Sequence, residues 1–437
     1  MKCIENEIPF EVPEGWAWCR FTSVTVNRDS ERKPISSANR TNVAKIYDYY
    51  GASGKIDKID KFIFNEKLLL IGEDGANLVT RSKPIAFFAE GQYWVNNHAH
   101  CIDSTDKLIL EYLCLYINAI SLEKYVTGSA QPKMTQDNMN SILIALPPYE
   151  EQKRLEFQVN HILKTVSTIE NEKEDIVNYI SSAKSKILDL AIRGKLVPQN
   201  PNAEPASVLL ERIRAEKEEL IKAGKIKRDK KESIIFKGED NSYYEKIGDK
   251  IRCIDAEIPF DLPELWTFAR LKHIGGIVGG GTPKTNISKY WDGNIPWLTP
   301  ADLSGYDSMY ISTGSRTITD FGLKSSSAQM LPANSILYSS RAPIGYTAIA
   351  TNPVCTNQGF KSVVPYDFSI SPYLYYSLKA RTDNIIQRAT GTTFKEISGS
   401  EMAETIIPIP PLNEQSKIVE KVTQLQEVIS LIEKSLN

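Results

Sequence analysis

Residues 3–16, with the sequence CIENEIPFEVPEGW, return as residues 253–266, CIDAEIPFDLPELW. About half of the positions are identical over some twenty residues. A second pair follows, because residues 147–152, PPYEEQ, return as residues 410–415, PPLNEQ. The shift between the copies grows by only about thirteen residues from the first pair to the second, so the two units have similar lengths. The chain is therefore predicted to be an internal repeat.

Each Pro-Pro pair is followed by apolar residues whose spacing alternates between four and three, which is the heptad pattern of a coiled coil. A repeat of 3.5 residues that lasts several heptads favours a narrow seam against one partner helix. We therefore predict two long helices, 149–193 and 410–437, that pair with each other. The seam residues are Leu155, Val159, Ile162, Val166, Ile169, Ile176 and Ile180 in the first helix and Ile418, Val422, Leu425, Ile429, Ile432 and Leu436 in the second.

The residues between these landmarks differ much more than the landmarks themselves. Thr127-Gly128 matches Thr390-Gly391, and Asn96–Ala99 stands about where Thr356–Gly359 stands in the second unit. Both inserts are predicted to be mixed, strand-rich domains. The candidate strands are Leu68–Ile71, Ile85–Ala89, Ser335–Ser339 and Tyr346–Ala350, and the candidate helices are Leu108–Lys124 and Pro372–Ala380.

Residues 194–250 form a predicted connector between the first helix and the second unit. Arg193-Gly194 is a good helix end, and a short helix is expected from Ala206 to Lys222. The basic run from Lys225 to Lys231 is interpreted as a solvated linker, with a phosphate-contacting or subunit-contacting segment as the alternative.

The composition is that of a soluble globular protein with two to three domains. The chain has 437 residues, of which 41% are apolar and 24% charged, and its longest apolar runs are far short of the ~20 residues that a membrane span needs. Six scattered cysteines indicate a reducing compartment, so we predict a cytoplasmic protein. A formal net charge of −2 excludes a basic protein that coats nucleic acid.

Catalytic motifs are not found in the sequence. The glycine-rich run from Gly279 to Lys284 lacks the Gly-Lys-Ser/Thr ending of a phosphate-binding loop. Leu146 precedes Pro147-Pro148 where an amino-methyltransferase signature needs a side-chain oxygen. The run from His98 to Cys101 could be half of a zinc site, but no second pair of ligands stands at a usable spacing. The chain is predicted to be non-catalytic and to hold no metal.

What remains is recognition chemistry. Arg and Lys suit phosphates and guanine edges, while Asn and Gln suit adenine edges. Trp291 and Trp297 are interpreted as core residues instead. The candidate DNA contacts are Arg28, Lys33, Arg40, Lys45, Asn77, Arg81, Asn97, His98 and Lys133 in the first unit, and Thr282, Lys284, Lys289, Ser340, Arg341, Gln358, Lys361 and Lys395 in the second.

Taken together, these features resemble the DNA-specificity (S) subunit of type I restriction-modification systems. The resemblance covers essentially the whole chain. Besides the two pairs of repeated landmarks, the motifs on which the resemblance rests are Gly279–Pro283, Trp291–Trp297 and Arg193–Pro198. Any one of these motifs alone would be weak, but jointly they are specific.

The resemblance implies an α+β fold with an internal pseudo-two-fold repeat. Two mixed α/β target-recognition domains, residues 1–148 and 251–409, would be separated by the two long helices, which form an antiparallel coiled coil. Each domain would read half of a bipartite site in double-stranded DNA, and the helices would dock two methyltransferase (M) subunits. S-adenosylmethionine, ATP and magnesium would belong to the M subunits and to the restriction (R) subunits, so this chain would need no cofactor.

One departure from the family pattern concerns the second helix. It stops at Asn437 and lacks a counterpart of Arg193–Val197, so either the helices pair over the shorter length or this is a clipped or rearranged gene product. Two alternatives to the leading interpretation stay open: a recognition subunit of a type IIB/IIG-like enzyme with a fused nuclease-methyltransferase partner, and a coiled-coil scaffold that does not bind DNA.

Overall fold

The computed structural model describes residues 5–128, 131–228, 232–391 and 395–436. The chain divides into two compact units, Met1–Glu172 and Lys173–Asn437, which we call unit 1 and unit 2. Within the described ranges, no helix has the length and apolar character needed to cross a membrane.

Unit 1 is a mixed domain of short helices and two four-stranded sheets. Its strands are β1 (Ala17–Arg20), β2 (Val26–Asn27), β3 (Tyr47–Gly51), β4 (Gly54–Ile59), β5 (Phe64–Asn65), β6 (Leu68–Gly72), β7 (Ala86–Ala89), β8 (Gln92–Val95), β9 (Ala99–Asp103) and β10 (Leu143–Leu146). Its helices are α1 (Ser37–Thr41), α2 (Asn77–Thr80), α3 (Lys107–Ala119), α4 (Gln136–Asn140) and the first part of α5 (Tyr149–Ile192). The sheet orders are β2-β9-β6-β7 and β4-β3-β8-β5, and β1 pairs separately with β10.

Strand β6 forms the centre of the unit 1 core. Its four consecutive aliphatic residues, Leu68 to Ile71, are fully buried because both faces of the sheet are covered. The predicted helix Leu108–Lys124 proves shorter, as α3 ends at Ala119. Arg81 donates to the carbonyl oxygens of Asn118 and Ile120 at that end, which satisfies backbone groups that a longer helix would have used.

Unit 2 contains the rest of α5 and a second mixed domain. Its helices are α6 (Ala206–Lys222), α7 (Leu271–Ile274), α8 (Asp320–Lys324), α9 (Ser371–Ala380), α10 (Thr382–Arg388), α11 (Gly399–Ala403) and α12 (Leu412–Ser435). Its strands are β11 (Ser233–Lys237), β12 (Tyr243–Ile247), β13 (Lys250–Cys253), β14 (Thr267–Arg270), β15 (Gly275–Gly279), β16 (Trp291–Leu298), β17 (Tyr310–Ile311), β18 (Arg316–Ile318), β19 (Ile336–Ser340), β20 (Ile344–Ala350), β21 (Cys355–Thr356), β22 (Lys361–Pro365) and β23 (Ile406–Ile409).

The sheets of unit 2 correspond to those of unit 1. Their orders are β15-β22-β19-β20-β17 and β18-β16-β21, with β14 paired to β23. The antiparallel pair Ala17↔Leu146 returns as Thr267↔Ile409, and the parallel pair β3–β8 returns as β16–β21. The predicted internal repeat is therefore confirmed in three dimensions, and the predicted strands in both inserts are found.

Helix α5 and helix α12 run antiparallel where both belong to unit 2. Lys184 Nζ lies 2.6 Å from Glu433 Oε1, near the end of α12, whereas Gln199, just beyond α5, donates to Glu414 near its start. Gly194 ends α5 with a φ of 66°, as its sequence position predicts.

The predicted seam is buried over only part of its length. Its buried members are Ile180, Ile418, Val422 and Ile429. Its exposed members are Ile162, Val166, Ile169, Ile176 and Ile432, and the remaining members, Leu155, Val159, Leu425 and Leu436, are half-buried. Helix α12 has 24 residues against the 44 of α5, so it is too short to cover the whole of that helix, which agrees with the expectation that the helices pair over the shorter length.

The connector contains a small sheet that the sequence did not predict. Helix α6 has the predicted bounds, but β11, β12 and β13 form an antiparallel sheet within residues 233–253. Glu245 on β12 is 1% exposed and lies 2.7 Å from Arg270 on β14, so the sheet is held by a buried ion pair. In the basic run, Arg228 pairs with Glu218 at 2.6 Å, and residues 229–231 lie outside the described residues.

Candidate nucleic-acid interface

Three loops of unit 1 are joined by backbone hydrogen bonds. They are residues 73–76, 96–98 and 127–134, which we call the first loop cluster; residues 129–130 lie outside the described ranges. Glu73 N donates to His98 O at 2.9 Å, and Met134 N donates to Glu73 O at 2.7 Å. The loops that follow β6 and β8 and the loop that precedes α4 therefore form one surface.

Unit 2 repeats this arrangement with the same bonds. Ser340 N donates to Gly359 O at 2.7 Å, and Ile397 N donates to Ser340 O at 3.0 Å. We call residues 280–284, 340–343, 356–361 and 390–397 the second loop cluster, of which residues 392–394 are outside the described part of the chain. The ladder between Thr127 and Lys133 also returns, between Thr390 and Glu396.

The turn at the centre of each cluster is held by one asparagine. Asn96 Oδ1 accepts from His98 N at 2.8 Å, and Asn357 Oδ1 accepts from Gly359 N at 2.8 Å. Asn96 thus corresponds to Asn357, one position later than the alignment inferred from sequence. The residue at the tip of each turn is exposed, and it is Asn97 in unit 1 and Gln358 in unit 2.

The side chains on this shared backbone carry opposite charges. Asp74 faces Lys133 across a β-bridge in unit 1, whereas the corresponding bridge in unit 2 joins Arg341 to Glu396. Lys133 Nζ lies 3.1 Å from Glu73, and Arg341 Nη1 lies 3.5 Å from Glu396. One framework therefore presents two different electrostatic surfaces.

A buried polar network supports the first loop cluster from below. His100 is 1% exposed, and its ring nitrogens lie within hydrogen-bond distance of Asp29 Oδ2, at 2.6 Å, and of Met134 O, at 3.0 Å. Burial acts to raise the pKa of Asp29, but the hydrogen bond from His100 and the charge of Arg32 outweigh it and keep that pKa below its usual value. His100 is therefore a core residue, while His98 is exposed beside Asp74.

The glycine-rich run of unit 2 allows a close approach between loops. A Cβ atom at Gly280 would overlap the carbonyl oxygen of Asn357. Trp297 Nε1 donates to Gly281 O at 2.8 Å, and Trp291 Nε1 donates to Lys284 O at 3.2 Å. Both tryptophans are buried, as the sequence indicates, and they hold the backbone that carries Thr282 and Lys284.

The structure brings some of the candidate contacts together in each unit. Those on or beside the first loop cluster are Lys33, Asn77, Asn97, His98 and Lys133. Those on or beside the second are Thr282, Lys284, Arg341, Gln358, Lys361 and Lys395. Lys33 belongs here because its backbone N donates to Val95 O, directly before the Asn96 turn. Within the second cluster, Thr282 Oγ1 donates to Gln358 Oε1, and Lys361 lies 3.1 Å from Glu396.

Three basic candidates of unit 1 are already held by carboxylates. Arg28 pairs with Glu66 at 3.2 Å and with Asp103 at 3.3 Å. Arg40 and Lys45 share Asp57, at 3.0 and 2.8 Å. The hydrogen bonds from Lys45, the Lys58 backbone and Arg40 hold the pKa of Asp57 well below its usual range. These cations have a structural partner that DNA would have to displace.

Other candidates have structural roles or positions of their own. Arg81 caps α3, as described above, and the side chain of Asn77 bonds the backbone of Lys83. Ser340 is fully buried, so its hydroxyl does not lie on the surface. Lys289 is exposed with its Nζ 4.6 Å from the centre of the Phe321 ring.

Arg316 is a basic residue that the sequence did not single out. Its guanidinium lies 3.6 Å from the centre of the Trp291 ring, and the side chain is exposed on β18. Among the described residues no carboxylate pairs with it, and the ring it covers bonds the backbone of Lys284. The contact between Arg316 and Trp291 depends on the fold and could not be read from the sequence, because the two residues are 25 positions apart.

Within the described ranges, no group of three or more His, Cys, Asp and Glu residues is arranged to hold a metal ion. His98 and His100 each bond a different carboxylate, Asp74 and Asp29.

Comparisons with known proteins agree on one family. The family model described as type I restriction modification DNA specificity domain matches residues 13–182 and 263–437. The MjaIX specificity subunit of Methanocaldococcus jannaschii is 44% identical over 170 residues, which are 38% of this chain and 39% of the relative. The EcoAI specificity subunit of Escherichia coli is 25% identical over an alignment that covers 96% of this chain and 79% of the relative.

A solved structure supports the fold. A chain from a type I restriction-modification system has a TM-score of 0.51 and 18% identity, with 98% of this chain and 94% of that chain covered. Because the family model matches both repeated units, across most of the chain, this protein belongs to the type I restriction-modification DNA-specificity family.

Proposed function

We propose that this chain is the DNA-recognition subunit of a type I restriction-modification complex and that each loop cluster reads one half of a bipartite site. The proposal rests on one observation: the two loop clusters have the same backbone hydrogen bonds, but they carry different side chains at equivalent positions. Two heads with one architecture can dock on the same groove geometry, and different side chains on them read different bases.

The exposed groups of the clusters suit the major groove. Asn97 and Gln358 offer amide donors at the tip of each turn, where base edges can be reached. The lysines around them, such as Lys33 and Lys284, supply positive charge for phosphates, which positions a protein without specifying sequence. Arg316 adds a guanidinium beside the second cluster.

The partners follow from the same proposal. The long helices would dock two M subunits, and R subunits would join through them. The chain itself would be non-catalytic: S-adenosylmethionine for adenine N6-methylation, and ATP and magnesium for restriction, would be bound by those subunits. Such a complex acts on chromosomal and invading DNA in the cytoplasm.

A binding experiment with the assembled complex tests the proposal. The chain with its M subunits would be titrated against duplexes that carry the intact bipartite site, a scrambled first half, a scrambled second half, or both. We expect a loss of at least about 1000-fold when both halves are scrambled, with a separate contribution from each half. Equal affinity for all four duplexes at a fixed salt concentration would reject the proposal.

A further inference from the structure

The two units share a frame in which a tryptophan is tied to the start of a long helix. Trp16 Nε1 donates to Glu151 Oε2 at 3.1 Å in unit 1, and Trp266 Nε1 donates to Glu414 Oε2 at 3.2 Å in unit 2. The next helical turns also correspond, with Leu155 and Val159 in unit 1 at the positions of Ile418 and Val422 in unit 2.

In unit 2 this surface is covered by the chain segment 187–213. Gln199 Nε2 donates to the second carboxylate oxygen of Glu414 and to Gly194 O. Gly194 lies against Pro263 and Trp266 so closely that an added Cβ would be 2.5 Å from the proline ring.

The helical parts of the segment complete this cover. Ala206 N donates to Leu265 O at 2.9 Å. The aliphatic residues Leu209 and Ile213 belong to the same buried cluster as Ile418 and Val422, and all four are at most 1% exposed. Segment 187–213 therefore buries Trp266 and the first turns of α12 in unit 2.

In the part of the chain that the structure describes, nothing covers the corresponding surface of unit 1. It is a groove of about 780 Å³ whose walls include Phe10, Trp16, Tyr112, Leu155, Val159 and Leu163, and we call it the first-frame groove. Phe10 is 49% exposed and Leu163 is 57% exposed, and Glu151 Oε2 bonds Trp16 as its counterpart does. Its wall is mostly apolar, so solvent exposure of this surface is unfavourable.

We propose that the first-frame groove binds, in trans, a segment of a partner protein with the chemistry of residues 187–213. Such a segment has a glycine turn that lies against Trp16, an amide that donates to Glu151, and an amphipathic helix with a narrow aliphatic face toward Leu155 and Val159. The occupant of the equivalent surface in unit 2 specifies this chemistry residue by residue. The proposal concerns a protein partner and does not depend on DNA recognition.

The test uses the full chain and a fluorescein-labelled peptide of residues 187–213, followed by fluorescence anisotropy. We expect saturable binding of one peptide per chain. Val159→Asp should weaken it at least about tenfold, because a carboxylate would be buried against an apolar face. Glu151→Gln should weaken it about tenfold, because an NH₂ group, which cannot accept, replaces one of the two carboxylate oxygens that in unit 2 accept from the tryptophan and from the glutamine.

Matched controls separate the groove from other effects. Val177→Asp introduces the same charge at an exposed position of the same helix, outside the groove, and should leave binding unchanged. A peptide with Gly194→Val should not bind, because its φ of 66° and the contact with the proline ring both exclude a β-branched residue. Near-ultraviolet circular dichroism of each chain variant verifies that it is folded.

Three results would overturn the proposal. The first is the absence of binding by the unmodified peptide to a folded chain. The second is binding that Val159→Asp and Glu151→Gln leave unaltered, which would place the peptide elsewhere. The third is a chain that sediments as a dimer and becomes monomeric in Val159→Asp, which would assign the groove to a second copy of this protein.

Discussion

Gln358 lies at the tip of the exposed turn of the second loop cluster, and one of the two polar atoms of its amide is already hydrogen-bonded within the protein. Its Oε1 accepts a hydrogen bond from Thr282 Oγ1, so the two N–H groups of Nε2 are the groups left to meet a base. Guanine offers N7 and O6 as acceptors in the major groove, whereas the exocyclic amines of adenine and cytosine are donors. We therefore expect Gln358 to read an acceptor edge, with guanine N7 and O6 the best match.

The perturbation is Gln358→Ala, which removes both donors. A good base contact contributes about 1–3 kcal/mol of discrimination, so the affinity for the intact site should fall roughly 5- to 150-fold. One base pair of the second half-site should then tolerate every substitution. Thr282→Val should have a different effect, because it frees Oε1 to accept from adenine N6 and so moves the preference at that base pair from guanine toward adenine.

The assay is anisotropy of the assembled complex on duplexes that carry single substitutions through both half-sites. Asn97→Ala is the matched control, since Asn97 occupies the same turn position in unit 1 and should relax one base pair of the first half-site only. The reasoning is refuted if Gln358→Ala weakens all duplexes equally, which would indicate a phosphate contact, or if it relaxes the first half-site.

The other predictions concern charge, packing and pH. Lys284→Glu should weaken binding through the second half-site about tenfold. On the same duplexes, base substitutions in the first half-site should lower the affinity of the variant by the same factor as they lower that of the unmodified complex. Ile429→Asp should lower the free energy of unfolding by at least about 3 kcal/mol, because Ile429 is 9% exposed, whereas Leu431→Asp, at 68% exposed, should change it by less than about 0.5 kcal/mol in urea titrations. Glu245→Gln should lower the free energy of unfolding by about 1–3 kcal/mol, because it removes the most buried of the three carboxylates that pair with Arg270 and leaves Glu257 and Glu404 in place. Although burial acts to raise it, hydrogen bonds from Arg270 lower the pKa of Glu245 to about 2, so its stabilisation is full above its unfolded pKa and is lost as pH falls toward 2. The acid limb of the stability profile should therefore be flatter in the Gln variant.

The repeat and its long helices could be predicted from the sequence because they depend on local patterns. Heptad spacing and a glycine stop determine where a helix such as α5 begins and ends, and residue identity between the two Pro-Glu-Trp landmarks reveals the duplication. The extent of the buried seam could not be predicted in this way. The spacing of Ile162 and Ile169 is as regular as that of Ile418, but burial depends on the length of the partner helix.

The candidate interface was predictable in position but not in detail. The match of Thr127 with Thr390 is correct, because each residue forms an antiparallel β-bridge across its own loop, Thr127 with Lys133 and Thr390 with Glu396. The correct partner of Asn96 is visible only from the side-chain bond that its counterpart Asn357 repeats. The long-range partners of Arg28 could not be recognised, since Glu66 and Asp103 are brought to it by the sheet from 38 and 75 residues away.

The most direct test of the central claim is methylome sequencing of a host strain with this gene present, deleted and restored. If the chain specifies a bipartite target, one two-part motif with methylated adenines should vanish on deletion and return on restoration, while all other methylated motifs persist. A set of methylated motifs that is identical in the three strains would contradict the account.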